Sequence, residues 1–184
     1  IHSGDTDTRI RFPDANTITV QTAGSERIRV DDNGRIGIGT LSPYANGLLH
    51  CDGNLVLTAS NNSPKIIFDE FGTGTDPKAQ IEMDQTDSTN ASMRFYTEGS
   101  GTLSERARID SSGRLLLGTT TEGHSNADDF TVATSANTGI TIRSGTSNGG
   151  NIFFSDATSG TGEYAGMISY DHNDNIMTFA TTDG

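Results

Sequence analysis

The string SERIRVDDNGRIGIGT at 25–40 returns as SERARIDSSGRLLLGT at 104–119. Glu26, Arg27, Arg29, Asp31, Gly34, Arg35, Gly39 and Thr40 reappear 79 positions on, as Glu105, Arg106, Arg108, Asp110, Gly113, Arg114, Gly118 and Thr119. A recurrence at this spacing marks one structural unit used more than once, so the chain reads as an array. Arrays build length or surface rather than one catalytic cleft. The likeness runs wider: PKIIFDEFGTGTDPKAQIEM (64–83) aligns loosely with GNIFFSDATSGTGEYAGMIS (150–169), and MRFYTEG (93–99) with MTFATTDG (177–184). TITVQTAG (17–24) takes the FYTEG place ahead of the first string. These matches divide the chain into the end of a first unit (1–43), a second unit (44–123) and an incomplete third (124–184). With Ile1 in place of a starting Met and Gly184 where another SER string would follow, the sequence is expected to be a segment of something longer.

Within each unit the apolar residues alternate in short runs, such as Ile10-Arg11-Phe12, Ile18-Thr19-Val20, Ile28-Arg29-Val30, Ile36-Gly37-Ile38 and Ile140-Thr141-Ile142. Period-two runs bounded by Gly, Asn, Asp and Ser predict half-buried strands, and no stretch has helical periodicity. The fold class expected is all-β. Yet Leu, Ile, Val and Phe number only 36 of 184 residues, against 26 Thr, 22 Gly and 18 Ser, with a net charge of −12. Such values border on those of disordered chains. A chain too poor in apolar residues to build its own core can still fold by sharing its apolar face with further copies of itself. Closing three such faces about one axis also protects the sheet edges. The expectation is therefore an elongated, repeat-built β-fibre of short hairpins, an intertwined or side-by-side homotrimer.

The repeated string fixes a hairpin register. A two-residue Asn33-Gly34 loop would split the apolar residues between faces. A three-residue loop with Gly34 in the left-handed region pairs Asp31 with Arg35, Val30 with Ile36 and Ile28 with Ile38. The apolar four then share a face, with Arg29 and Gly37 on the other. The second copy agrees: around Gly113, Asp110 meets Arg114, Ile109 meets Leu115 and Ala107 meets Leu117. The Asp/Arg pair beside each turn is expected to be exposed and weak, holding the register.

SERIRVDDNGRIGIGTLSP (25–43) and SERARIDSSGRLLLGTT (104–120) resemble the repeated strings of tail-fibre proteins of tailed bacteriophages, and LLHCDGNLVLTAS (48–60) resembles the strand-turn-strand that often follows them. The resemblance implies a trimeric β-fibre on the virion tail, assembled in the host cytoplasm and extracellular thereafter. Its implied role is host-surface attachment, with itself, other tail or virion proteins and a host surface glycan or protein as partners. Family members often end in a self-cleaving chaperone domain, and nothing here matches one. Leu115-Leu116-Leu117 departs from the Ile-Gly-Ile of the first string.

Other chemistry is thin. A pI near 4.5 and the lack of a basic, aromatic-interleaved patch argue against nucleic acid, and no run of about 18 apolar residues suggests membrane insertion. Cys51 is alone, which fits synthesis in a reducing compartment. His2, His50, His124 and His172 lack metal spacing, and no nucleophile elbow or phosphate loop occurs. Carboxylate pairs such as Glu82/Asp84 and Asp128/Asp129 are unavoidable among 24 acids, so no catalytic residue and no cofactor is expected. Asp171, Asn173 and Asp174 cluster oxygen donors without a closing Glu, and read first as a solvated turn and second as a metal site. Tyr44, Phe71 and Tyr164, with the loops at 70–78 and 156–164, are the expected receptor contacts; most of the Phe (Phe68, Phe95, Phe153, Phe154, Phe179) fall in strand runs. The function expected is a structural shaft segment of a fibre that mediates attachment. The alternatives are a structural filament or decoration fibre without receptor specificity and, further off, a tailspike-like glycan depolymerase.

Overall fold

The computed structural model describes residues 4–59, 63–69, 77–85, 87 and 89–181. They are nearly all strand and turn, with one short 3-10 helix (Gly160–Tyr164), and the strands form three sheets of five, six and three. The chain falls into two units, 1–68 with 80–91, and 69–79 with 92–184.

In the first unit β1 (Arg9–Arg11), β2 (Ile18–Thr22), β3 (Ser25–Val30), β4 (Ile36–Ile38) and β5 (Leu49–Cys51) form one sheet in chain order. The first four are antiparallel and β5 runs parallel to β4. The same unit holds β6 (Lys65–Phe68) and nearly all of β7 (Ala79–Gln85), where the Met83 N–H donates to the Pro64 carbonyl at 3.1 Å. In the second unit β8 (Ala91–Gly99), β9 (Thr102–Ile109) and β10 (Leu115–Leu117) are antiparallel, and β11 (Phe130–Val132) lies parallel to β10. An antiparallel meander of β12 (Gly149–Phe154), β13 (Gly166–Asp171) and β14 (Ile176–Thr181) follows.

Two expected strands are absent. Residues 54–59, the second half of the predicted strand-turn-strand, and Ile140-Thr141-Ile142 carry no ladder. Ile140-Thr141-Ile142 alternates apolar and polar residues and 54–59 carries the run Leu55-Val56-Leu57, but neither segment pairs with another strand among the described residues, and an apolar pattern without a paired backbone makes no sheet.

Cross-strand partners share a face. In the first sheet Ile10, Val20, Ile28, Ile38 and Cys51 stand in one row, and Ile18, Val30, Ile36 and Leu49 in the next. This all-apolar face is the open one: Ile28 and Ile36 are 39% exposed, Ile38 43% and Leu49 55%. The opposite face, with Arg11, Thr19, Arg29, Gly37 and His50, is the covered one, and Thr17, Thr19, Asp31 and Gly37 are buried. The second unit repeats the inversion. Met93, Ile109, Leu115 and Phe130 line an open row, whereas Leu116, on the other face, is 1% exposed. Leu116 is the one fully buried apolar side chain among the described residues. In the meander Ile152, Ile168 and Phe179 form a third open row, and Ile140 and Ile142 help line a hollow of about 270 Å³ beside Ile152 and Ile168.

Candidate functional site

Both copies of the string fold into the same hairpin, in the register set by a three-residue turn. Val30 faces Ile36 and Ile28 faces Ile38; Ile109 faces Leu115 and Ala107 faces Leu117. Gly34 and Gly113 sit in the left-handed region at φ 74° and 84°, each N–H donating to the carbonyl of its aspartate at 2.9 and 3.0 Å. The aspartate carboxylate is the turn's hub. Asp31 Oδ1 accepts the N–H groups of Asn33 (3.0 Å) and Arg35 (2.9 Å), and Oδ2 accepts Arg35 Nε (2.7 Å). Asp110 repeats this with Ser112 (2.9 Å), Arg114 N–H (3.0 Å) and Arg114 Nε (2.7 Å). Desolvation pushes both carboxyls up, but these backbone and guanidinium donors outweigh it and hold them below the usual carboxylate range. The expectation of an exposed pair is corrected here. Asp31 is buried, 8% exposed, because its turn wraps around the carboxylate.

The spacing Glu-Arg-x-Arg has its own mechanical meaning. Opposite β2 the partner of Val20 is Ile28 and that of Gln21 is Glu26, so Arg27 is an inserted bulge residue. Arg106 is bulged in the same way opposite Phe95 and Tyr96. The inserted residue brings positions three apart onto one face. Glu26 then accepts Arg29 Nε and Nη2 at 2.6 and 3.1 Å, and Glu105 accepts Arg108 at 2.5 and 2.7 Å. Each bulged carbonyl accepts the N–H of the glycine that closes the hairpin, Gly39 or Gly118, at 2.9 Å. Those glycines also abut the parallel strand. A Cβ at Gly39 would lie 3.0 Å from the Asp52 carbonyl oxygen, and one at Gly118 2.5 Å from that of Ala133.

The copies differ on the covered face. At Gly37 a Cβ would meet Pro43 Cγ at 2.9 Å and the Thr40 oxygen at 3.0 Å, so the segment after β4 lies directly on the glycine. The matching Leu116 supplies its own filling. They differ again at the arginine. Arg114 Nη1 donates to Asp128 at 3.0 Å and lies 3.6 Å from Glu122, which with Asp110 raises its pKa; Asp110 contributes most. The Arg35 guanidinium meets Asp31 at 2.6 Å and has no second carboxylate among the described residues. It borders an open hollow of about 350 Å³ lined by Asn33, Ala45, Asn46, Gly47 and Leu48.

No protein-family model and no curated protein matches this chain. The geometry alone therefore places the remaining predicted residues. Tyr44 is 68% exposed, opens the 44–48 loop and meets His50 edge-on at 6.5 Å. Tyr164 ends the 3-10 helix, 39% exposed and 6.2 Å from Phe153. The two tyrosines belong to different units. Phe71 and most of the 70–78 loop lie outside the described residues, as does His2. The oxygen donors near 171 serve their own turn: Asp171 accepts the Asn173 N–H at 2.8 Å, and Asn173 Nδ2 donates to Asp174 at 2.8 Å. Among the described residues no three His, Cys, Asp or Glu side chains converge as metal ligands would. Sequence reasoning missed the roles of Glu26, Arg29, Gly39, Asp128 and their counterparts, although most stood in the repeated string.

Proposed function

We propose that this chain is a shaft segment of a phage tail fibre that works as a homotrimer and carries host-surface attachment. The observation that carries the reading is the inverted burial of its sheets. Rows of Ile, Val, Leu, Met and Phe face water while threonines and ion pairs are covered. Contiguous exposed apolar faces of this kind mark association surfaces. Residues 54–59 and 140–142 add exposed apolar side chains with no ladder of their own, and an edge on a neighbouring copy would supply one.

In this reading the apolar rows turn inward about the fibre axis, and the Asp–Gly–Arg turns and the covered polar face look outward. The string resemblance supplies the tail-fibre assignment, the virion tail as its location, and tail proteins and a host surface molecule as further partners. Light scattering on the purified chain tests the assembly: the expected mass is three times 19.4 kDa. A compact, cooperatively melting monomer would refute it. Blocking of phage adsorption by the trimer separates an attachment fibre from a plain filament, and release of reducing sugar from host envelope would indicate a depolymerase instead.

A further inference from the structure

The two hairpins handle the outer edge of one arginine in opposite ways. In the second copy Nη1 of Arg114 is closed off by the chain's own carboxylates, Asp128 at 3.0 Å and Glu122 at 3.6 Å. The residue after Asp128 passes its carbonyl to the Leu115 N–H (2.8 Å), as Leu48 does to Ile36 (2.7 Å). Asp128 therefore corresponds to Gly47, and Glu122, by the 79-residue offset, to Pro43. The first copy has the same guanidinium, held by the same aspartate, but no side chain to fill the acid position. In its place is the hollow of about 350 Å³, inside the range of roughly 300–1,000 Å³ typical of small-ligand sites.

We propose that this hollow binds the carboxylate of an acidic sugar, a hexuronate or sialate residue of a surface polysaccharide. Asp128 on Arg114 serves as the internal template: it shows that a carboxylate can sit on this guanidinium while the turn aspartate stays bound. A guanidinium edge suits a carboxylate through charge-assisted hydrogen bonds. The side chains of Asn33 and Asn46 at the rim offer amide donors and acceptors for ring hydroxyls. The chain's net charge of −12 does not prevent this, since two further carboxylates already gather at Arg114 and charges beyond about 8 Å are largely screened at physiological salt. The source of the sugar rests on the attachment reading; the site itself does not. One hollow per chain gives three per trimer, so a weak single contact is multiplied by avidity.

The decisive variant is Gly47→Asp, which supplies the first copy with the second copy's acid. Gly47 does not have a left-handed φ, and an added Cβ meets only the Leu49 carbonyl oxygen at 3.7 Å, an ordinary contact. Wild-type, Gly47→Asp and Gly47→Ala proteins are compared on immobilised hexuronate, sialate and neutral hexose oligosaccharides and on a polyglutamate peptide, with Tm recorded for each. Wild type and Gly47→Ala should retain one of the acidic glycans and not the neutral ones. Gly47→Asp should lose about tenfold or more of that binding at unchanged Tm, the worth of one charge-assisted hydrogen bond. Equal binding of acidic and neutral glycans, undiminished binding by Gly47→Asp, or polyglutamate bound as tightly as the glycans would each overturn the proposal. A trimer that blocks adsorption without preferring acidic sugars overturns this site and leaves the attachment reading intact. Acid-selective binding by a protein that never blocks adsorption supports the site and removes that reading.

Discussion

Ile38→Lys separates a chain that stands alone from one that completes its interior with sister chains. Ile38 is 43% exposed in the isolated chain and stands between Ile28 and Cys51 on the open apolar face. Fully burying an isoleucine stabilises by about 1.5–3 kcal/mol, so covering the exposed part contributes about 0.6–1.3 kcal/mol per chain and about 2–4 kcal/mol per trimer. Lysine forfeits that and brings three like charges together in a dry interior, each costing several kcal/mol to desolvate. In a monomer the same change is a surface substitution worth within about 0.5 kcal/mol. The assay is molar mass by light scattering with a thermal melt, alongside Ser112→Lys, which adds the same charge in an exposed turn. The expected outcome is dissociation or a large loss of Tm for Ile38→Lys and no change for Ser112→Lys. Wild-type mass and an unchanged melt for Ile38→Lys would refute the inward apolar face.

The glycines of the string should rank by what a Cβ would meet. Gly34→Ala encounters open space and costs about 1–2 kcal/mol for its left-handed φ, whereas Gly118→Ala must also displace the Ala133 carbonyl and should lose clearly more in urea unfolding; equal losses would count against the parallel-strand contact. Leu116→Ala should destabilise by about 2–5 kcal/mol as a deletion of a buried side chain, and a loss under 1 kcal/mol would mean the site is wet or loose. The carboxyls of Asp31 and Asp110 are depressed on folding, and Asp87 is held at about 2, chiefly by the Asn90 side chain, with Thr89 also donating. Depressed carboxyls contribute stability that is complete above the unfolded value of about 3.9 and lost as pH falls through the folded one. Tm should thus be flat from neutrality to about pH 5, then fall below pH 4. Asp31→Asn with Asp110→Asn should flatten that acid limb, and an unaltered limb would remove these turns as its cause.

What the sequence disclosed was whatever a strand's own periodicity or a turn's own chemistry determines. The alternation at 28–30 and 36–38 and the glycine at 34 suffice for the hairpin register, because a one-residue slip would turn the apolar set to the other face. The apolar pattern failed at 54–59 and 140–142, since a strand exists only where another backbone receives it. It was also silent on which face is covered. Thr19 and Asp31 look like solvent residues and are buried, while Ile28 and Ile38 look like core and are open. On that polar face the turn wraps around Asp31 and the segment after β4 packs on Gly37, placements that alternation does not encode. The Arg35 hollow was hidden for a related reason. It is visible only when Gly47 is set against Asp128, and that pairing needs the carbonyl bonds of Leu48 and Asp129 to align the copies.

The differences between the copies follow from what each repeated residue touches. Asp31, Gly34, Arg35 and Gly39 act on backbone: they receive turn amides, adopt a left-handed φ, or lie against a carbonyl of the parallel strand. Backbone geometry is the same in both hairpins, so the same residue types serve at Asp110, Gly113, Arg114 and Gly118. Gly37 and Leu116 touch side chains instead, and there two fillings serve one space: a prolyl ring laid on a glycine, or a leucine that needs no ring above it. The edge of the arginine belongs to this second class. Its partner differs between the copies, and among the described residues Asp31 is the carboxylate that holds Arg35 in the first. A repeat of this design can therefore keep its hairpin geometry constant while opening or closing one guanidinium per unit, through the single residue that stands at Gly47 or Asp128.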